Sequence, residues 1–465
     1  MKKTELESTG RERLGSRLGF ILISAGCAIG MGNVWRFPYI TGQYGGGAFV
    51  ALYLIFLVML GIPVMTMELS MGRASQKSPL CLYDSLQRPK QKWHIHGWAS
   101  FIGLVVLMMF YTVVAGWMLY YVKAMALGDF VGATNQEIKG AFGTLLSNPW
   151  AMLLCTAIVV VIGFLVNSFG VQKGLERVTK ILMLALFGLM AVLTVHALTL
   201  SGAGEGIRFY LVPDLGKMAE AGILNVIAAA MLQALFTLSL GIGSMAIFGS
   251  YIGKDRSLLG ESVTIASLDT LVAIIAGLII FPACFTYNGG ETSGGPGLIF
   301  QVLPQIFSDM PLGRVWGTIF FVFMSFAALS TVFAVFEAIL ACVVEKLGWS
   351  RKKACIVCGI GIMILSLPCI FGYNLLAGVA PLGKDIQSWE DFLVSYVLLP
   401  LGSLTYILFC TSKRFGWGFD AFENEANQGK GLKVKKWMKG YMKYVLPVLL
   451  LVIFVFGLND FFAWW

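Results

Sequence analysis

The sequence predicts an all-α protein that crosses a membrane many times. Of its 465 residues, 57% are hydrophobic and only 13% are charged, whereas soluble domains carry roughly 25% charged residues. The mean hydropathy is +0.79, and several separate runs exceed the ~18 apolar residues that a transmembrane helix needs. A transmembrane β-barrel is excluded, because its strands would alternate in hydrophobicity over ~10 residues instead of being apolar throughout.

Apolar runs separated by polar breaks predict eleven transmembrane helices in a single domain over residues 1–465. A tail of residues 1–16 precedes the first helix, and the eleventh is an additional helix after a core of ten. In order, the predicted spans are 17–41, 47–73, 97–127, 150–168, 174–200, 221–250, 260–284, 313–346, 352–371, 388–411 and 442–463.

The distribution of the net charge of +9 predicts the orientation of the chain. Basic residues cluster before the first span and in every second loop after it, including segment 413–440 with Trp417 and Trp437, while the intervening loops are neutral or acidic. This is the positive-inside pattern, so we expect a multi-pass protein of the cell (inner) membrane, with a cytoplasmic N terminus and an extracellular or periplasmic C terminus. Because the charge is spread over loops, we expect no nucleic-acid partner, and no obligate protein partner is evident.

The first span contains an interruption that indicates a site. Glycines occur at positions 26, 30 and 32, and glycine disfavours the interior of a helix. In hydrocarbon, an unwound backbone is tolerated only where protein or a water-filled cavity surrounds it. The polar residues Asn33 and Arg36 follow the break, so we interpret it as a binding site.

The sixth span repeats this interruption at Gly241 and Gly243. The two broken spans are five apart, and because five is odd, a repeated five-span unit must be inserted the second time in the opposite orientation. We therefore predict a five-plus-five inverted repeat, with repeat one at 17–200 and repeat two at 221–411. Paired broken helices in corresponding halves are typical of the midplane site of a transporter.

The residue types near the two breaks suit cations and a carboxylate. An unwound helix exposes carbonyl oxygens, which bind small hard cations, and amides at the positive end of a helix dipole, which bind a carboxylate. Asn33 and Thr237 add side-chain oxygens. Asp269 is a lone acid in the apolar seventh span, where it either faces a cavity or lies near the inner end and is solvated. The adjacent hydroxyls of Ser330 and Thr331 either bind a ligand or bond to their own backbone.

Several short motifs lie in and around the first, second, fifth and sixth spans. They are Gly30-Met-Gly-Asn-Val-Trp-Arg-Phe-Pro38, Gly45-Gly-Gly-Ala-Phe49, Gly61-Ile-Pro63, Glu68, Met71-Gly-Arg73, Gly174-Leu-Glu-Arg177 and Phe236-Thr-Leu-Ser-Leu-Gly241. Together they closely resemble the neurotransmitter:sodium symporter family. The resemblance covers the ten core spans, residues 11–411, and implies the leucine-transporter fold. The eleven-span ending is similar to that of a bacterial subgroup that transports hydrophobic amino acids.

The resemblance implies two sodium ions as co-transported ligands. In sodium site 1 the substrate carboxylate would complete a shell of protein oxygens, so that ion and substrate bind together. The residues of that site would be Ala28, Asn33, Thr237 and Asp269. The residues of sodium site 2 would be Gly26, Ile29, Ala327, Ser330 and Thr331.

The resemblance also implies a substrate site between the broken helices. The carboxylate would contact the amides of Met31 and Gly32 and the hydroxyl of Tyr111. The rest of the pocket would be mainly apolar, which favours a hydrophobic amino acid, because a charged side chain would lose its hydration there. The full implied set is Ala28, Met31, Gly32, Leu107, Tyr111, Phe236, Thr237, Ser239, Ile242, Val332 and Val335.

The resemblance also implies two gates, and this sequence departs from the family pattern near the first sodium site. Asp269 stands where many relatives have Asn, and Ala273 where chloride-dependent relatives have Ser. A fixed carboxylate beside the first sodium ion can replace a bound chloride ion, so we expect chloride independence. The implied outer gate is Arg36 with Asp391 and nearby Gln233, and the implied inner gate is Arg11 with Glu345, supported by Tyr251.

These observations predict a sodium-coupled symporter that imports hydrophobic or aromatic L-amino acids, of the leucine, tryptophan or tyrosine type, by alternating access. The alternative is an amino-acid-gated channel, or a sensor of the same fold that binds amino acids without transporting them. An enzyme is not expected, because Asp269 has no second acid or histidine at helical spacing.

Overall fold

The computed structural model describes residues 14–290 and 295–462, and the regular structure in these ranges is helical. Nine of the helices in these ranges are long and apolar enough to cross a membrane. Their bounds are Gly47–Ser75, His94–Leu127, Pro149–Ser168, Val171–Leu198, Leu258–Tyr287, Gly313–Leu347, Arg351–Gly372, Ile386–Thr411 and Met438–Phe462.

The first span is a broken helix, as predicted. Its halves, Arg17–Ala28 and Gly32–Gln43, meet at an angle of 53°. The first half begins at the N-cap Ser16, whose hydroxyl accepts a hydrogen bond from the amide of Gly19. It ends where Ile29 takes an extended conformation, with ψ at 98°. Counted as one span, this pair makes ten membrane-crossing units in the described ranges.

The sixth span is broken more widely. The apolar helix Ile223–Phe236 is capped at its C terminus by Thr237. A second helix begins only at Ser244 and runs to Gly249. Between them Gly241 has a φ of +101° and Gly243 a φ of +78°, which glycine adopts without the steric cost that a side chain would bring. The two half-helices together fill the position of the predicted span 221–250, so the fold is consistent with eleven spans.

The interior of the bundle is formed by the third and eighth spans, His94–Leu127 and Gly313–Leu347, which pack against each other. The hydrophobic stretches of these two helices are mostly buried, whereas those of Val171–Leu198 and Met438–Phe462 are mostly exposed. Exposed apolar helix faces of this kind face lipid in a membrane protein. All predicted span boundaries lie within four residues of the observed ones.

Five connecting segments in the described ranges contain α-helices of their own. Leu82–Leu86 follows the second span and Asn135–Ser147 follows the third. The segment after the fifth span forms Ala203–Leu211 and Leu215–Glu220, and Leu303–Asp309 precedes the eighth span. The segment between the tenth and eleventh spans forms the helix Phe419–Ala426.

Candidate functional site

The breaks of the first and sixth spans lie against each other inside the bundle. Gln233 donates a hydrogen bond from Nε2 to the carbonyl of Gly32 over 3.1 Å. A Cβ atom added to Gly32 would lie 3.1 Å from the ring of Phe236, so the two segments approach as closely as a glycine allows. Gln233, expected near the outer gate, therefore holds the unwound backbone of the first span in this structure.

A first oxygen cluster, defined here as Asn33, Thr237 and Asp269, lies at this junction. Asn33 donates from Nδ2 to Asp269 Oδ1 over 2.8 Å, and Thr237 donates from Oγ1 to Asp269 Oδ2 over 2.9 Å. The side chain of Asp269 is fully buried, and no Lys, Arg or His of the described ranges forms an ion pair with it. A buried carboxylate without a counter-ion is costly, so this cluster is suited to a bound cation. The alternative of a solvated Asp269 is incorrect.

A second oxygen cluster, defined as Gly26, Ile29, Ala327, Ser330 and Thr331, joins the first span to the eighth. The hydroxyl of Thr331 lies 3.2 Å from the carbonyl oxygen of Gly26 and 3.3 Å from that of Ile29. The hydroxyl of Ser330 lies 2.9 Å from the carbonyl oxygen of Ala327 and 3.4 Å from that of Ile29. The hydroxyls thus reach across to another helix. A set of carbonyl and hydroxyl oxygens is suited to a hard cation.

Neither cluster resembles a transition-metal site. In the described part of the chain, no group of three or more His, Cys, Asp or Glu side chains is placed to hold a metal ion. The nine cysteines, all within the described ranges, form no disulfide bond.

A cavity of about 30 Å³ lies between the breaks of the first and sixth spans, and Thr331 of the second oxygen cluster forms part of its wall. At its polar end the amide of Met31 donates a hydrogen bond to the hydroxyl oxygen of Tyr111 over 3.2 Å. The remainder of its wall is mainly apolar. The cavity is lined by Cys27, Ala28, Gly30, Gly32, Leu107, Tyr111, Phe236, Ser239, Ile242, Thr331, Val394 and Leu399.

Two of the residues expected in the apolar wall lie elsewhere. Val332 and Val335 are buried but do not line this cavity. The Cγ1 atom of Val332 lies 3.2 Å from the position of a Cβ on Gly163, so it packs against the fourth span. The next residue on a helix is rotated by about 100°, which turns Val332 away once Thr331 faces the first span.

Val394 and Leu399 of the tenth span take part in the wall, and sequence reasoning missed them. No periodic signal distinguishes them, because apolar residues occupy most positions of this span. Cys27, to which the sequence assigned no function, also lines the cavity.

A vestibule of about 660 Å³ lies on the other side of Tyr111 and Phe236, which line both spaces. These two aromatic side chains therefore separate the cavity from the vestibule. Arg36 and Asp391 both line the vestibule, but they form no ion pair with each other in this structure. The guanidinium of Arg36 lies 4.2 Å from the ring centroid of Phe236, and Asp391 accepts a 2.6 Å hydrogen bond from the hydroxyl of Ser395.

The eleventh span contributes to the wall of the vestibule. Asp460 accepts a 2.9 Å hydrogen bond from the hydroxyl of Tyr396, whose ring centroid is 6.0 Å from the guanidinium of Arg36. A Cβ on Gly457 would lie 2.7 Å from the ring of Tyr396, so a glycine is needed at this contact. The additional helix, which the sequence places outside the ten-span core, therefore reaches the surroundings of the implied outer gate.

The opposite end of the bundle differs in part from the expected inner gate. Arg11 lies outside the described residues. Glu345 accepts a 2.7 Å hydrogen bond from the amide of Ser78 and pairs with Lys77 at 3.1 Å. The hydroxyl of Tyr251 donates to Glu337 over 2.7 Å, an acid that the expected gate did not include.

Glu337 is a buried acid of the eighth span that sequence reasoning missed. Its two carboxylate oxygens accept hydrogen bonds from Arg351, at the start of the ninth span. Arg351 also donates from Nε to the carbonyl of Asn167 over 2.7 Å. This network ties the fourth, eighth and ninth spans to the segment that follows the sixth. An acid within an apolar span was the available signal.

Comparisons with known proteins agree with this architecture. The family model described as the sodium:neurotransmitter symporter family matches residues 11–129 and 129–463. An uncharacterized sodium-dependent transporter, YhdH of Bacillus subtilis (strain 168), is 34% identical over 441 residues, which are 95% of this chain and 96% of that protein. An uncharacterized sodium-dependent transporter of Haemophilus influenzae is 33% identical over 462 residues, which are 96% of this chain and 98% of that protein.

A solved structure is similar over almost the whole length. It is the crystal structure of MhsT in complex with L-phenylalanine, with a TM-score of 0.86 and 37% sequence identity over 96% of this chain and 100% of that one. The predicted fold class and family are thereby confirmed. The chain belongs to the sodium:neurotransmitter symporter family, whose members are sodium-dependent membrane transporters and not enzymes.

Proposed function

We propose that this protein is a symporter that uses the sodium gradient to import hydrophobic or aromatic L-amino acids by alternating access. The observation that carries the proposal is the cavity between the two broken spans, with one polar end and an otherwise mainly apolar wall. An amino acid has the same division, since its carboxylate and amino group lie at one end and its side chain at the other.

The substrate carboxylate would bind at the polar end. The amides of Met31 and Gly32 begin the second half of the broken first span, where the dipole of the helix favours an anion. The hydroxyl of Tyr111, 3.2 Å from the Met31 amide, would turn to donate to the carboxylate. The amino group would face carbonyls of the unwound segments near Phe236 and Ser239, which both line the cavity.

The side chain of the substrate would occupy the apolar part of the cavity, which would have to widen from its present volume of about 30 Å³, enough for about two water molecules, to admit it. Leu107, Phe236 and Ile242 line this part, together with Val394 and Leu399. The relative MhsT was solved with L-phenylalanine, which supports an aromatic or branched substrate of the leucine, tryptophan, tyrosine or phenylalanine type.

Two sodium ions would be co-transported with the substrate. The first would bind in the oxygen cluster of Asn33, Thr237 and Asp269 with the carbonyl of Ala28, and the substrate carboxylate would complete its shell. The second would bind in the cluster of Gly26, Ile29, Ala327, Ser330 and Thr331. Each ion would replace hydrogen bonds that now join these oxygens.

Gating and orientation complete the proposal. Arg36 would move from the ring of Phe236 to Asp391 when the outer gate closes, and Arg11 would pair with Glu345 when the inner gate closes. Exposed ion pairs of this kind contribute on the order of 1 kcal/mol, so that each gate can reopen. The N terminus and the segments after even-numbered spans would face the cytoplasm, with repeats at 17–200 and 221–411 in a single domain of the cell membrane.

Sodium removal tests this proposal. If carboxylate and sodium share a shell, replacing sodium by potassium at equal ionic strength should abolish binding of leucine, tyrosine, tryptophan and phenylalanine to the purified protein. Scintillation proximity or calorimetry would measure it. Unchanged affinity in potassium would contradict the shared shell.

Uptake into proteoliposomes separates the symporter from a channel or a sensor. An inward sodium gradient should drive accumulation of the amino acid above its external concentration, because each sodium ion that enters moves down its own gradient. An inside-negative membrane potential adds about 2.3 kcal/mol per charge per 100 mV to this driving force. A channel would only equilibrate the substrate, and a sensor would bind it without uptake. Either result would overturn the proposed function.

A further inference from the structure

The segment between the tenth and eleventh spans is a folded strap, defined here as residues 413–437. Its helix Phe419–Ala426 is followed by a turn that Asn427 holds in place. The Asn427 side chain accepts from the amide of Val434 over 2.6 Å and donates to its carbonyl over 2.8 Å. Val434 is only 2% exposed, so the strap is anchored in the protein by a buried apolar side chain.

One face of the strap is docked onto the end of the second span. Arg73, which is fully buried, donates from Nε to Glu425 Oε1 over 2.6 Å and bonds the carbonyl of Glu425. The same guanidinium donates from Nη1 to the carbonyl of Arg256 over 2.8 Å. A single buried cation thus joins the second span, the strap and the loop after the sixth span.

The strap also pairs with that loop through backbone hydrogen bonds. The amide of Lys430 donates to the carbonyl of Asp255 over 2.9 Å, and the amide of Ser257 donates to the carbonyl of Lys430 over 3.0 Å. The loop connects the second half of the broken sixth span to the seventh span, which contains Asp269. The position of the strap is therefore linked to elements that form the candidate site.

The part of the strap that follows Ala426, together with the start of the eleventh span, is basic and exposed, and it is called the basic face here. Residues 427–445 contain six lysines and no acid. Two large apolar side chains lie among them, Leu432 with 57% and Trp437 with 70% of its surface exposed. The lysines are Lys430, Lys433, Lys435, Lys436, Lys439 and Lys443, and all are exposed. Two of them also have protein partners: Lys439 pairs with Asp420 of the strap at 3.4 Å, and Lys433 donates to the carbonyl of Gly429 over 2.8 Å.

This face adjoins the point where the eleventh span, Met438–Phe462, begins. We propose that it is a docking surface for the headgroups of anionic phospholipids. A cluster of four to eight basic residues next to a transmembrane helix attracts anionic lipid, and tryptophan favours the interface between lipid and water. Because the other face is docked onto Arg73 and the loop after the sixth span, lipid bound here stabilises the native arrangement at this end of the bundle.

Fluorescence quenching tests the lipid contact directly. The signal of Trp437 is obtained as the difference between the wild type and Trp437→Phe in vesicles. Brominated phosphatidylglycerol should quench this signal more strongly than brominated phosphatidylcholine at the same fraction. Quenching measured at increasing lipid fractions gives the affinity for phosphatidylglycerol relative to phosphatidylcholine. In Lys435→Gln/Lys436→Gln this relative affinity should fall about 25-fold, since each lysine near the surface contributes about fivefold.

Lys90→Gln/Lys92→Gln is the matched control. These lysines lie at the same end of the bundle, as the hydrogen bond from Trp93 to the carbonyl of Phe415 shows, but outside the strap. The control should keep the preference of the wild type for phosphatidylglycerol. Equal quenching by both lipids in the wild type, or the same preference in both double variants, would overturn the proposal.

Thermal unfolding provides a second measurement. Lipid that binds only the native state raises its stability, so phosphatidylglycerol should raise the unfolding temperature of the wild type and the control more than that of Lys435→Gln/Lys436→Gln. An equal rise in all three would contradict a site at this face. Neither measurement depends on amino-acid uptake, so failure of the proposed function would not be mistaken for failure of this inference.

Discussion

Asp269→Asn is expected to make uptake dependent on chloride, whereas we propose that the wild type needs none. The substitution removes the negative charge beside the proposed first sodium ion. Unit charges about 4 Å apart attract by about 4 kcal/mol at an effective dielectric constant of 20. Because desolvation offsets part of this attraction, we expect the sodium affinity to fall on the order of 100-fold in chloride-free buffer.

The surroundings of Asp269 explain why chloride should restore activity. Tyr53 lies close to Asp269, Thr237 and Thr270, and the hydroxyls of Tyr53 and Thr270 are buried without a hydrogen-bond partner in the described structure. Both are donors that an anion could accept from, and an anion bound there would replace the lost charge. Uptake in chloride should therefore exceed uptake in gluconate in the variant, while the wild type should show no difference.

Glu68→Gln is the control for this experiment. Glu68 is another fully buried acid, but its carboxylate accepts from the amides of Gly241 and Met245 and lies outside the first oxygen cluster. Its replacement should not produce a chloride requirement. Chloride-free uptake by Asp269→Asn at the wild-type rate would contradict the fixed-charge interpretation.

Gly30→Ala is expected to abolish most uptake through a single added methyl group. A Cβ at this position would lie closer than 3.0 Å to the hydroxyl oxygens of both Tyr111 and Thr331. It would displace one hydroxyl from the Met31 amide and the other from the second oxygen cluster. Overpacking of this kind costs about 1–3 kcal/mol, and we expect the ratio kcat/KM for uptake to fall roughly 10- to 100-fold.

Gly188→Ala is the matched control, because it makes the same glycine-to-alanine change at a position with open space around it. Gly188 lies inside the helix Val171–Leu198, where nothing is within 4 Å of an added Cβ. Uptake should be unchanged, and the free energy of unfolding should rise by about 0.5–1 kcal/mol, because alanine favours a helix. If Gly30→Ala transported as well as Gly188→Ala, the close packing around Gly30 would have no functional importance.

Which side chains line the cavity could be predicted only in part. Tyr111, Phe236 and Ile242 were identified because the family resemblance, carried over residue by residue, implies these positions. Val332 and Val335 were assigned to the wall in the same way, but the rotation of the eighth span turns Val332 towards Gly163. A rotation of this kind depends on packing between helices and leaves no trace in an apolar sequence.

Partners that lie far apart in the chain were equally hard to foresee. Tyr251 bonds Glu337, 86 residues away, and Arg73 bonds Glu425, 352 residues away. An acid or a base in an apolar span indicates that some partner exists, but not which one. The guanidinium of Arg36 lies over Phe236 and not beside Asp391, and this depends on the conformational state of the gate.

The sequence by itself determined the fold class and the location of the site. The length of each apolar run decides whether a helix can cross a membrane, and the glycines at positions 241 and 243 supply the positive φ angles at which the sixth helix breaks. These are local properties of the chain. Only the tertiary structure decided which face each helix presents, that Val394 and Leu399 complete the cavity, and that the strap docks onto Arg73. Those contacts join residues from distant parts of the chain, and packing of the whole bundle is what brings them together.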